Sequence, residues 1–263
     1  MNFFTQILHL LAAGATAYIS ARNLRDAKTR PDILAGLQLA ESGSVPFLMA
    51  LRDRAVAEGD SWLAAKLARH AEDERRHGQI LAHALKLLNK KVIDFKNLSE
   101  AAPENGKPNE RRQSPFFAAY FDGYPSASLS PQQIDWTVFM ASTYILELDA
   151  SQDFIRMANA LPEHEQPCIT IKQGLLSIAK DETDHAAYLY EALQRRMPYP
   201  AVLEVVDVWR TRKVNALLAM VSNLIQKEGQ MPSLTQDSLP REMSSSRKSK
   251  ISERVKVQEA WKA

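Results

Sequence analysis

Residues 67–81 read LARHAEDERRHGQIL, a run that places an acid and an imidazole on the apolar side of a helix. Leu63, Leu67, His70, Glu74, His77, Leu81, Ala84 and Leu88 recur in alternating steps of four and three, the period of one helix face. Glu74 and His77 lie three residues apart and therefore project towards one point. An unpaired carboxylate among leucines costs on the order of several kcal/mol, so the stripe implies a compensating partner. Residues 175–189, LLSIAKDETDHAAYL, repeat the arrangement, with Glu182 and His185 on a stripe of Ile171, Leu175, Ile178, Leu189 and Ala192.

Working outward, each motif has a helix before it with a solitary glutamate on its apolar face. The first helix is expected from Pro31 to Glu58, with Leu37, Glu41, Ser44, Leu48, Leu51 and Ala55 on one side and Gly59-Asp60 as its stop. The second runs from Ser61, read as its N-cap, to Asn89. The third is expected to open at Ser130-Pro131, to carry Thr137, Met140, Tyr144, Glu147, Ser151, Phe154 and Ala158, and to end at Pro162. The fourth bears Glu182 and His185 and stops near Pro198. A fifth, over 200–227, presents Val202, Val206 and Trp209 to cap the others or to meet another subunit.

Between the second and third helices, residues 91–129 form a long connection with a polar half (Pro103 to Ser114) and an aromatic cluster of Phe116, Phe117, Tyr120, Phe121 and Tyr124. Connections of this length usually have a function or partial order of their own, and the cluster reads either as a lid over a substrate pocket or as packing. The organisation is thus an N-terminal helix over 1–30, an all-α bundle over 31–228 and a basic Ser/Lys/Arg tail over 229–263 that is expected to be disordered. Net charge is +2, so only the tail offers a footing for nucleic acid. One cysteine, Cys168, excludes an intramolecular disulfide framework and any Cys-rich metal site, and fits a reducing, cytoplasmic setting. Residues 3–19 are apolar but are interrupted by Gln6 and His9 and lack a preceding positive charge, so a packed helix is expected there rather than a membrane span.

Glu74 follows Glu41 by 33 residues and Glu182 follows Glu147 by 35, so the chain contains one Glu…Glu-x-x-His half-site twice. Four carboxylates with two imidazoles suit iron or manganese rather than structural zinc, which usually takes thiolates. Asp73 and Asp181 each stand one turn before the histidine of their own helix, where a carboxylate can accept the imidazole's far N–H. His70 shares the stripe but is read as a packing or supporting residue beside a complete six-ligand set. His9, His83 and His164 have no such placement. Tyr144, one turn before Glu147, is either a supporting phenol or core packing.

These residues resemble the ferritin-like di-iron carboxylate superfamily: Glu41, Glu74-Arg75-Arg76-His77, Glu147 and Glu182-Thr183-Asp184-His185 fit its pattern over residues 31–196. The resemblance implies an all-α, ferritin-like four-helix bundle with a long crossover, and two iron ions (or a manganese–iron pair) held by Glu41, Glu74, His77, Glu147, Glu182 and His185. It also implies activation of oxygen or peroxide. Storage ferritins lack the histidine equivalent to His185. Bacterioferritins are shorter and have a haem methionine where Arg75 stands. Rubrerythrins carry an extra glutamate where Ala150 stands, together with a Cys-rich module that one cysteine cannot build. What remains resembles the oxidases and oxygenases, which implies O₂, an organic substrate and an external electron donor as partners, in a monomer or dimer. The alternative is iron handling or peroxide scavenging without an organic substrate.

Overall fold

The computed structural model describes residue 14 and residues 18–93, 114–226 and 233–238. Among the described residues the protein is all-helical apart from one small strand pair. After a helical segment over 18–25 come α1 (Arg30–Ala57), α2 (Ser61–Leu87), β1 (Lys90–Val92), α3 (Pro115–Tyr120), α4 (Trp136–Ala160), α5 (Gln166–Gln194), α6 (Tyr199–Gln226) and β2 (Thr235–Asp237). The four long helices expected from the stripes are α1, α2, α4 and α5. Asp60 caps α2 by accepting from the Leu63 amide at 2.9 Å, so the cap is one residue before the expected Ser61. Gly59, at φ 81°, turns the chain between α1 and α2 in a conformation that side chains resist.

The third long helix starts later than Ser130-Pro131. Asp135 is its cap, accepting from the amides of Thr137 (2.8 Å) and Val138 (3.2 Å). Ser130 instead ends a 3-10 turn over Ser126–Leu129 and accepts from the Ile134 amide. A carboxylate that satisfies two orphan amides outcompetes the Ser-Pro pair. Arg54 fixes this corner from α1: it donates to Ile134 O at 2.6 Å and lies 4.4 Å over the Trp136 ring.

Most buried apolar side chains fall into two clusters. Leu48, Leu51, Leu63, Leu67, Phe139, Met140, Ile145, Leu189 and Leu193 belong to one. Leu34, Leu81, Leu85, Phe154, Ala158, Ile171, Leu175 and Ile178 belong to the other. In α1 and α5 the second cluster is met first along the chain, whereas in α2 and α4 the first is. The helices therefore form antiparallel pairs, α1 with α2 and α4 with α5, while α2 and α4 run the same way and the chain must cross the assembly between them. Gly174 of α5 permits close approach to α2, since a Cβ there would stand 2.6 Å from the Ile80 Cγ2 methyl.

Three residues of the crossover's aromatic cluster pack on α6. Tyr120, Phe121 and Tyr124 lie 5.1–5.9 Å (ring centroids) from Trp209 of α6. The Tyr120 hydroxyl donates to Ser142 O at 2.8 Å. α6 thus caps the bundle within the chain, and the Lys213–Asp149 ion pair at 2.5 Å ties it to α4.

Part of the tail departs from the expected disorder. β2 pairs antiparallel with β1, with Lys91 opposite Gln236. The Asp32 carboxylate of α1 accepts from the Leu234 amide, the Ser233 hydroxyl and the Thr235 hydroxyl, each at 2.9 Å. Leu234 packs on the second apolar cluster. One apolar residue and three charge-assisted bonds anchor a segment whose composition reads as polar linker. The apolar run over 3–19 lies mostly outside the described residues, as do the polar half of the crossover and the end of the tail. By length and composition alone α1 could cross a membrane, which is weak evidence because core helices pass the same test. It contributes to both apolar clusters.

Candidate metal centre

Between the two apolar clusters lies a polar layer. α1 contributes Glu41 and Ser44, α2 His70, Glu74 and His77, α4 Glu147, and α5 Glu182 and His185. Glu74, His77, Glu182 and His185 are buried, as is His70, while Glu41 and Glu147 are partly buried. All six residues proposed from the half-sites meet here. Together with His70 they form two overlapping groups whose ligand atoms can face one ion each: Glu41, Glu74, His77 and Glu182, and His70, Glu74, Glu147 and His185. Glu74 belongs to both.

The first group centres on His77 Nδ1, which lies 3.1 Å from Glu41 Oε2, 3.2 Å from Glu182 Oε1 and 3.7 Å from Glu74 Oε1. In the second, His70 Nε2 lies 3.4 Å from both Glu74 Oε1 and Glu147 Oε1. His185 Nδ1 is 3.3 Å from Glu182 Oε2 and 3.9 Å from Glu74 Oε1. The Ser44 hydroxyl, 2.8 Å from Glu74 Oε2, steadies the shared carboxylate.

The supporting aspartates act across helices rather than along them. Asp181 Oδ2 lies 3.2 Å from His77 Nε2, and Asp73 Oδ2 lies 3.4 Å from His185 Nε2. An imidazole whose Nδ1 faces its own glutamate one turn back must aim Nε2 outward, at the neighbouring helix, which is why the in-helix pairing fails. Arg76 joins the two aspartates, with Nη2 2.5 Å from Asp181 and 3.1 Å from Asp73. Part-burial opposes the Asp73 charge, but bonds from Arg76 and His185 outweigh it and hold its carboxyl below the usual range. Replacing Asp181 by alanine should weaken metal binding roughly 10–100-fold in the His77 group, and replacing Asp73 should do the same in the His185 group. Stepwise metal titration checks both, and the opposite assignment would restore the in-helix pairing.

One sequence expectation shifts and another, left open between two readings, is narrowed. His70, read as a neighbour of the ligands, has a ring nitrogen aimed between two of the carboxylates. Its place on the stripe one turn before Glu74 was the available signal. Tyr144 packs against Tyr190, 5.2 Å between ring centroids, whereas the phenol beside the cluster is Tyr188, its hydroxyl 2.7 Å from His70 Nδ1. His83 and His164 are exposed.

Without a cation the layer is electrostatically frustrated. Burial, together with neighbouring carboxylates, pushes Glu41 up to about 7 and Glu147 up to about 8. Burial opposes the His77 cation, yet Glu182, Glu41 and Glu74 drive its pKa up to about 12. Burial, helped by the charge of His70, lowers His185 to about 4. Glu182 Oε1 is buried and has no hydrogen-bond partner, although His77 Nδ1 is nearby. An orphaned buried carboxylate oxygen beside protons held out of their normal range is what a bound cation would relieve, so the donor set fits a pair of divalent ions.

No family model, no curated protein and no solved structure matches the chain. What is shown is a helical protein with a buried carboxylate–histidine cluster able to hold metal.

Proposed function

We propose that the protein is a ferritin-like di-iron oxidase or oxygenase that uses O₂ to oxidise or hydroxylate an organic substrate. The observation that carries this reading is the pair of overlapping four-residue groups sharing Glu74. Two ions joined by a common carboxylate, each with its own imidazole, form the arrangement expected of di-iron carboxylate bundles. The antiparallel pairs joined by a crossover support the same reading.

Glu41, Glu74, His77 and Glu182 would hold one iron, and Glu147 and His185, with the shared Glu74, the other. Bound iron would supply the redox chemistry and Lewis acidity for reducing O₂, with electrons from an external donor. The chain's own residues do the rest. Four carboxylates balance the charge of two divalent ions. Asp73 and Asp181, coupled through Arg76, fix the orientation of His185 and His77. The apolar clusters above and below exclude water. A cavity of about 300 Å³ lined by His70, His185 and Tyr188 opens between α2 and α5, with Lys66, Arg69, Asp184 and Glu191 around it. It lies on the outer side of the second group, and a small substrate would approach the metals from there.

The test is anaerobic reconstitution with Fe(II), followed by light scattering and O₂ electrode measurements with a chemical reductant. The expected result is about two irons per chain, a small assembly and sustained O₂ uptake dependent on the reductant. A large hollow assembly accumulating far more iron would show storage instead. A protein that retains no metal would overturn the reading altogether.

A further inference from the structure

Resting on the di-metal reading, we infer that the two metal positions are chemically unequal, because His70 is a seventh ligand and makes the second position nitrogen-rich. The two half-sites differ one turn before their second glutamates. The residue four before Glu182 is Ile178, fully buried in the second apolar cluster, whereas the residue four before Glu74 is His70. One half-site therefore has an imidazole where the other has a hydrocarbon.

The geometry gives that imidazole a ligand's attitude. His70 is 1% exposed, and its Nε2 lies at equal distances, 3.4 Å, from Glu74 Oε1 and Glu147 Oε1. Its ring stacks on that of His185, centroids 3.7 Å apart at 26°, so two imidazoles enter the second group side by side. The other ring nitrogen, Nδ1, is 2.7 Å from the Tyr188 hydroxyl, and the two rings meet edge to face. An imidazole that gives the Nε2 lone pair to a metal must carry its proton on Nδ1, and the Tyr188 oxygen accepts that N–H. Tyr188 thus sets the tautomer of His70, as Asp73 and Asp181 do for the other two histidines.

The first position then offers one imidazole and three carboxylates, from Glu41, Glu74 and Glu182. The second offers two imidazoles with Glu147 and the shared Glu74. Imidazole suits iron and cobalt, while a carboxylate-rich set suits manganese. Cobalt(II) or iron(II) should fill the second position first, and manganese(II) should prefer the first position.

The experiment uses the full chain and Co(II) alone as the probe, in anaerobic titrations followed by calorimetry and visible absorption. The wild type should show two resolved steps. His70→Ala should weaken the tighter step roughly 10–100-fold and leave the other in place, and Tyr188→Phe should weaken the same step less. Added free imidazole should restore the tight step in His70→Ala, a rescue that a packing role would not give. Glu41→Ala should spare the tight step and lose the weak one. Wild-type affinity in His70→Ala, or two identical steps in the wild type, overturns the inference while leaving the di-metal reading standing. No Co(II) binding by the wild type sinks the di-metal reading itself. Should His70→Ala misfold by circular dichroism, Tyr188→Phe decides, and an unchanged tight step there overturns the proposal.

Discussion

Replacing Glu74 by alanine should strip both metals from the protein, a larger loss than any other single substitution in the layer. Glu74 is the residue common to the two ligand groups, and its Oε1 lies within 4 Å of nitrogens from His70, His77 and His185. Its loss removes a donor from both positions and the carboxylate that would hold the ions together. Glu41 and Glu147 belong to one group each, so their removal should cost one ion. Metal analysis after anaerobic reconstitution should give about two irons per chain for the wild type, about one for Glu41→Ala and close to none for Glu74→Ala. If Glu74→Ala kept a full pair, the sharing of that carboxylate would be wrong. Circular dichroism should show the helices intact, because the apolar clusters on either side hold the bundle independently of the ions.

The second large effect is on stability and its dependence on pH. In the metal-free protein Glu41 and Glu147 are pushed up to about 7 and 8, and His77 up to about 12. Each folded value lies above the ordinary one, so each group's contribution is complete below its unfolded pKa and is lost as pH rises towards the folded value. His185, lowered to about 4, works in the opposite sense, but its contribution is already complete above about pH 6.5. Across roughly pH 6.5 to 8 the apo protein should therefore lose stability as pH rises. Metal displaces the protons responsible, so the loaded protein should not follow that decline, and metal affinity should rise with pH. At free metal near 100 times Kd each site contributes about 2.7 kcal/mol, which for two sites in a chain of this size raises Tm by on the order of 10–20 °C. Thermal melts of apo and loaded protein at both ends of that range measure it. A gap between the two that shrinks with rising pH would contradict the charge assignment.

The stripes made most of this legible. Glutamate and histidine at core positions of four helices could be read from spacing alone, because helical period fixes which residues share a face. The two Asp-Glu-x-x-His motifs likewise pointed to the supporting aspartates. Their partners across the helices were not readable, since ring orientation depends on how two antiparallel helices face each other. His70 is visible on the stripe, but six ligands already complete a di-metal set, and only its contrast with Ile178 in the other half-site marks it out. Tyr188 was hidden because its role depends on His70. The start of α4 went to Asp135 because capping competes locally between candidates that spacing does not rank. The strand return at 233–238 depends on Asp32, about two hundred residues away, and no local pattern carries such a contact.

The most direct measurement is a crystal structure of anaerobically iron-loaded protein with anomalous diffraction at the iron edge. The account expects two peaks in the layer between the apolar clusters, one among Glu41, His77 and Glu182, the other among His70, Glu147 and His185, with Glu74 touching both. A single peak, or iron bound anywhere outside that layer, would contradict it.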